Sequence, residues 1–434
     1  MASNDVNPHY LEHVMHTAEH RTVQASEDIV AGNGTKLLAK GARIDAGTRD
    51  RLLRYKLAKP LEDCMSVADG VVPAVFGPLA QQLLERHPLL GTLCGAARLQ
   101  ALPLRLASLN LSMPVQSLLT IYADHQGDRL AHSVGVAMLS LGLAQRLLPG
   151  QAALHLELAV AALLHDVGEL YIDPSVFRRD AELQAEQWRH IASHPVIGHR
   201  VLKPMKGAGA KVAAAVLNHH ERLDGFGYPR GLLEEDFPLE HQILAAAEWL
   251  MALIDSGVGA LARASVASRL IPGEFSPAIL EVLNSAARHS NELNDWLEQQ
   301  QQPLLSALPL VETLVGTLER FRLLRPWIDE QIGRASPGLR AALQLGLRRL
   351  LRIQASFSST GLDVGDPAAN LLELASQPDP RLHQELQVLI DEFGWRLRQL
   401  EREALLRAGL LQPAELAVMQ ELIARLRGTA SSAH

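Results

Sequence analysis

At 434 residues the chain exceeds one ordinary domain, and two or three are expected. Hydrophobic residues make up 47% and charged residues 21%, which excludes global disorder, while 4% aromatics and abundant Leu and Ala favour helices over sheet. The formal net charge of −7 argues against nonspecific nucleic-acid binding as the main activity.

Residues 1–21 read as a polar lead-in with one helix (YLEHVMHTAEH). Residues 22–62 read as a small α+β module: TVQASEDIV and TKLLAKGARI are short strands flanking the Gly32-Asn33-Gly34 turn, because Asn-Gly supplies the positive φ a tight hairpin needs. Asp45 or Thr48 caps the helix that follows, TRDRLLRYKL. Residues 63–114 form a helical connector, with helix expected over 76–110. From Pro114 the apolar residues recur three and four apart through SLLTIYADH, DRLAHSVGVAMLSLGLAQRLL and LHLELAVAALLHDVGEL, so residues 115–290 are expected to be an all-helical domain.

Residues 300–428 are a further helical region, with SSTGLDVGDPAANLLELASQPDP as a linker within it. Leu382, Leu386, Leu389, Phe393, Leu397 and Leu400 are spaced like a helix-pairing seam. Such a seam serves either an internal core or a homo-oligomer or protein partner. The tail at 429–434 reads as disordered. Cys64 and Cys94 make no disulfide framework, and the N-terminus lacks a basic region followed by an apolar one. No stretch reaches the roughly 18 apolar residues of a membrane span. A soluble, cytoplasmic protein with no membrane or nucleic-acid partner is expected.

The chemistry concentrates between His165 and Pro229. His165-Asp166 ends an apolar run and pairs an imidazole ligand with a carboxylate that can bridge two cations. His132 lies one helix upstream, His194 precedes a proline, and His219-His220 adds two adjacent imidazoles. Mixed nitrogen and oxygen ligands without thiolates suit Mn, Fe, Ni or Zn. Two such cations about 3.5–4 Å apart would ionise a bridging water and clamp both oxygens of an in-line phosphoryl displacement. Among the 18 histidines, His125, His155 and His199 are ordinary surface or capping residues on this reading. His190, four before His194, could share a helical face with it.

The ordered set, ending in His219-His220-Glu221-x-x-Asp224-Gly225-x-Gly227-Tyr228-Pro229, resembles the HD-GYP domain of the HD phosphohydrolase superfamily over roughly residues 115–290. The resemblance implies a mainly α fold: an HD-type helical bundle with a small N-terminal α+β module and additional C-terminal helices. It also implies two or three divalent metal ions, iron or manganese, and hydrolysis of the cyclic dinucleotide cyclic di-GMP to pGpG or GMP. By the same resemblance the metal ligands are His132, His165, Asp166, His194, His219 and His220. His165 and Asp166 are the catalytic pair and Asp166 is the bridge. Asp224, Gly225, Gly227, Tyr228 and Pro229, with Arg222, approach the nucleotide.

Three positions depart from the pattern. Glu169 stands where the family carries a lysine, Gln242 where it carries an arginine, and Glu248 where it carries a late aspartate ligand. Glutamate can still ligate, so Glu248 joins the metal set. Losing cations would weaken phosphodiester binding, and Arg222, Lys203, Lys206, Arg178 or Arg179 are candidates to compensate. Asp128, four before His132, is a candidate carboxylate for a third ion. The competing reading is a catalytically weak or inactive signalling or scaffold protein that binds metal or nucleotide. A third is an HD-type hydrolase of another phosphate substrate.

Overall fold

In the computed structural model the chain is described over residues 5–94, 101–125, 128–177, 185–256, 260, 263–264, 273–289, 307–358, 369–370, 373, 380–409 and 411–428. It divides into two compact units. One comprises Met1–Asp180, His190–Asp255 and Phe275–Val282; the other comprises Ala181–Arg189, Ser256–Glu274 and Leu283–His434. Among the described residues, no helix is long and apolar enough to cross a membrane.

The first unit opens with α1 (Pro8–His20), whose N-terminus is fixed by sequence chemistry. Asn7 Oδ1 accepts from the backbone N–H of His9 and Tyr10 at 2.9 and 3.1 Å, and Pro8 occupies the first turn, where its missing N–H costs nothing. The buried face of α1 carries Tyr10, Leu11, His13, Val14 and Thr17, the three-and-four spacing of a core-facing stripe.

Next come β1 (Val23–Ala25), β2 (Ile29–Val30), β3 (Lys36–Leu38), α2 (Ala46–Arg54) and β4 (Met65–Val67). β2 and β3 form the expected hairpin, with Gly34 at φ +87°. The segment expected as one strand, TVQASEDIV, breaks into β1 and β2. β1 pairs antiparallel with β4, which lies beyond residue 62 in the stretch read as connector, as a two-stranded sheet separate from the β2–β3 hairpin. Both candidate caps of α2 act together: Asp45 Oδ1 accepts from Gly47 N at 3.0 Å, and Thr48 Oγ1 accepts from Asp45 N at 3.1 Å.

The connector supplies α3 (Phe76–Arg86), α4 (Pro88–Cys94) and α5 (Ala101–Ala107). The bundle proper is α6 (Met113–His125), α7 (Arg129–Leu147), α8 (Ala152–Leu164), α10 (His194–Leu202), α11 (Gly209–Leu217) and α12 (Leu239–Asp255), while α9 (Ala185–Ile191) falls mostly in the second unit. α7 is buried continuously from Ser133 to Ala144, as its apolar and small residues on every face require, and it packs against α3, α4, α8 and α12. A 3₁₀ turn at Val167–Tyr171 follows α8 and packs against α10.

The N-terminal segment holds that turn. Asn7 Nδ2 donates to the Tyr171 carbonyl at 3.1 Å, and the Tyr10 and Tyr171 rings stack with centroids 4.7 Å apart. The Tyr171 hydroxyl donates to Glu62 Oε1 at 2.6 Å. The lead-in, the small module and the segment just past Asp166 therefore pack as one body.

α13 (Pro277–His289) follows, and the second unit then carries α14 (Ala307–Arg334), α15 (Pro337–Ser358), α16 (Pro380–Ala408) and α17 (Pro413–Arg427). Its core includes Phe321, Ile328, Leu343, Leu350, Leu400 and Leu422. Leu400 is buried in this core and Leu397 packs against it, so at these two positions the seam serves the unit itself. The side chains of Leu382, Leu386, Leu389 and Phe393 lie outside the described residues, as do the tail at 429–434 and most of the linker. Four charged side chains are buried together: Glu274, Arg349, Glu392 and Arg396, each at most 2% exposed. Arg396 pairs with Glu274 and donates from Nε to Glu392 Oε1 at 2.9 Å; Arg349 Nη2 lies 3.7 Å from Glu274 Oε1.

Candidate metal centre

Three imidazoles are delivered by helix ends. His165 caps the C-terminus of α8, His194 begins α10 beside Pro195, and His219 follows the end of α11 at Asn218. Each ring makes the same local bond. His165 Nδ1 lies 2.7 Å from the Ala162 carbonyl, His194 Nδ1 2.7 Å from that of Ile191, and His219 Nδ1 2.6 Å from that of Val216. A carbonyl oxygen only accepts, so Nδ1 donates in all three rings and Nε2 is the nitrogen left to face a cation.

Those Nε2 atoms converge on Asp166. Its Oδ2 lies 3.2 Å from His165 Nε2, while its Oδ1 lies 3.2 Å from His194 Nε2 and 3.5 Å from His219 Nε2. The two oxygens thus face different rings. Glu248, reaching in from α12, places Oε2 2.9 Å from His132 Nε2 and 3.2 Å from His165 Nε2. The side chains form two groups with ligand atoms close enough to share an ion: Asp166, His194, His219 and His220 in one, and His132, His165 and Glu248 in the other. All seven expected ligands are brought together, including the altered position Glu248. Gly168 makes this convergence sterically feasible: a Cβ there would overlap the His194 carbonyl and crowd the backbone of Gly198.

The donor set fits divalent cations. His165 Nε2 is completely buried and, among the described residues, makes no hydrogen bond of good geometry, although two carboxylates lie beside it. An orphaned buried nitrogen facing carboxylates is the arrangement a cation satisfies. The electrostatics agree. Burial works against charge on His165 and His132, yet Asp166 and Glu248 outweigh it, holding His165 well above the ordinary imidazole value and His132 at about 10. Burial likewise opposes ionisation of Asp166 and Glu248, but the neighbouring imidazoles hold both well below the carboxylate range. His220 is pushed well down by burial and by His219 and His194.

The loop from His219 to Pro229 is organised by Glu221, which the sequence reading did not single out. Its fully buried carboxylate accepts from Arg230 N at 2.6 Å and Leu232 N at 2.9 Å. Asp224 Oδ1 accepts from Phe226 N at 3.2 Å, Gly225 takes φ +78°, and Gly227 lies so tightly on the backbone of Glu221 and Arg222 that no side chain fits. The Tyr228 ring stacks on His220 with centroids 4.6 Å apart, and Pro229 is exposed.

Arg222 is 7% exposed, donates to the Glu221 carbonyl at 2.8 Å and lies 5.0 Å over the Phe275 ring, so it braces the loop from inside instead of lining a substrate rim. Gln242 is turned inward and donates to the Phe237 carbonyl at 2.5 Å. Lys203 and Lys206 are exposed, and Arg178 and Arg179 lie outside the described residues. Glu169 is ion-paired with Arg129 from the start of α7.

His190 is exposed near the end of α9 and shares no helix with His194, which begins α10. His155 donates to the Leu148 carbonyl at 2.8 Å, a capping role. Asp128 is exposed and belongs to neither ligand group. Asp255 was missed: its Oδ2 lies 2.6 Å from His132 Nδ1 and plays for that ring the part that backbone carbonyls play for the other three.

Residues 116–271 match the family model described as HD domain. The cyclic di-GMP phosphodiesterase response regulator RpfG of Xanthomonas campestris is 34% identical over 130 residues, covering 30% of this chain and 32% of that protein. A cyclic di-GMP phosphodiesterase of Thermotoga maritima is 33% identical over 147 residues, covering 33% and 38%. A 3′3′-cGAMP-specific phosphodiesterase of Vibrio cholerae is 34% identical over 125 residues, covering 28% and 26%. The chain spans about a third of the length of the first two relatives.

Proposed function

Starting from an HD domain at residues 116–271, we propose that the protein is a metal-dependent phosphodiesterase hydrolysing cyclic di-GMP to pGpG or GMP. The observation that carries this reading is the division of Asp166, whose two oxygens face separate imidazole groups. Asp166 would bridge two ions, with His132, His165 and Glu248 on one and His194, His219 and His220 on the other. Iron or manganese suits these nitrogen and oxygen donors. When bound, such a pair supplies Lewis acidity and a nucleophilic water at neutral pH.

The chain's own work is positioning. The Nδ1–H bonds keep the Nε2 lone pairs of His165, His194 and His219 directed at the centre, and Asp255 does the same for His132. Asp224, Gly225, Gly227, Tyr228 and Pro229 form the loop assigned to the nucleotide. Arg222 and Glu221 hold that loop in shape from behind.

Turnover-free binding or scaffolding is the second reading, and the inward turn of Arg222 and Gln242 favours it. One experiment separates the two: elemental analysis of the full chain beside hydrolysis of cyclic di-GMP and 3′3′-cGAMP with Mn²⁺ or reduced Fe²⁺. Expected are about two metal equivalents per chain and turnover abolished in the H165A/D166A variant. Bound metal without turnover of either dinucleotide removes the enzyme reading and leaves the scaffold. Full activity in H165A/D166A removes the metal mechanism.

A further inference from the structure

The position that carries a lysine in the family pattern holds an acid here, yet the structure brings a cation to the same place from another helix. Arg129 lies three residues before His132 on α7, so the two share a helical face. Glu169 lies three residues after Asp166, one turn on in the 3₁₀ segment. The Arg129–Glu169 pair joins these two segments beside the candidate centre.

Three further contacts fix the guanidinium. Arg129 Nη1 lies 3.4 Å from the Tyr122 hydroxyl, and the guanidinium carbon lies 5.5 Å from the Tyr122 ring centroid and 5.8 Å from that of Phe177. Tyr122 is itself at the centre's edge: besides burial, the charges of Asp166 and Glu248 push its hydroxyl pKa up. Arg129 and Glu169 keep side-chain exposures of 17% and 13%, so the pair is held but remains reachable from solvent. An arginine offers a planar fork of donors suited to phosphate.

We propose that Arg129 is a substrate-binding residue, contacting a phosphodiester oxygen of the cyclic dinucleotide, with Glu169 as the positioning residue that holds its guanidinium in place. This rests on the phosphodiesterase reading above. It reverses the expectation that Glu169 leaves the site short of positive charge, since the acid holds a cation supplied by α7.

The test uses the full-length, manganese-loaded protein. Steady-state kcat and KM for cyclic di-GMP are measured beside the dissociation constant of a non-hydrolysable phosphorothioate analogue. Arg129→Ala should raise KM and the analogue's dissociation constant about tenfold to a hundredfold, the loss of one charge-assisted contact, with kcat changed less. Arg129→Lys should recover part of the loss. Because Arg129→Ala strands a half-buried carboxylate, the neutral pair R129Q/E169Q is measured too and should show the same rise. R129A/E169K, which returns a cation from the other side, should bind more tightly than R129A.

Variants that keep wild-type KM and analogue affinity, whatever their thermal stability, overturn the assignment and leave a structural ion pair. A wild-type protein that neither binds nor hydrolyses the dinucleotide overturns the phosphodiesterase reading itself. The two failures are therefore distinguishable.

Discussion

The backbone of Gly168 lies directly against the carbonyl oxygen of His194, with no room between them for a side chain. This contact sets the distance between the turn that carries Asp166 and the first residue of α10. Gly168→Ala should separate them, at a cost of about 1–3 kcal/mol in stability as for other overpacked sites, and should also weaken metal binding. Chemical denaturation and metal titration of the same variant read the two effects. A variant with wild-type stability would mean that the two segments slide apart freely.

Asp255 holds His132 through a bond of 2.6 Å to Nδ1. Removing it with Asp255→Ala should lower metal affinity about 10–100-fold, the usual effect of losing a carboxylate behind a ligating histidine. Equilibrium dialysis against Mn²⁺ reads the change, and unaltered affinity would remove Asp255 from the centre.

His13, buried on α1 and edge-on to His125 with centroids 3.9 Å apart, has its pKa lowered from 6.5 to about 4 by burial, with His125, His9, His16 and Arg129 adding to the effect. Between those two values the unfolded chain takes up a proton that the folded chain does not. Stability should therefore fall as pH drops from about 6.5 towards 4, and level off below that. Urea midpoints across this window should show the slope, and His13→Phe should flatten it. An equal slope in that variant would assign the effect to other groups.

In the second unit, Arg396 is 1% exposed and pairs with both Glu274 and Glu392. Arg396→Met should cost about 3–5 kcal/mol, because it removes the guanidinium that two buried carboxylates share. Replacing Glu274, Arg349, Glu392 and Arg396 together by apolar residues should restore much of the loss. Denaturation curves of both variants decide it, and a mild effect for Arg396→Met alone would mean that water reaches the cluster.

The helical bundle was legible because apolar residues three and four apart mark buried faces, and His165, His194 and His219 could be singled out as candidate ligands because they sit where those faces end. Glu248 could be kept among the candidates because carboxylate chemistry survives one added methylene. The rest depended on long-range pairing. β4 is three residues long, too short to show a period, and only its partner β1 makes it a strand. Arg222 reads as a contact to the nucleotide until Phe275 packs beneath it. Arg129 and Asp255 carry no local mark of their roles, since each acquires its partner from a different part of the chain.

The three histidines bonded one turn back in their own segments have a consequence for metal choice. Because His165, His194 and His219 take their direction from nearby carbonyls, sliding one helix past another alters the spacing of the donors and leaves their bearing unchanged. Ion radius would then be selected by how closely α8, α10 and α11 abut, and a change of preferred metal would come from substitutions at those helix contacts, leaving every ligand in place.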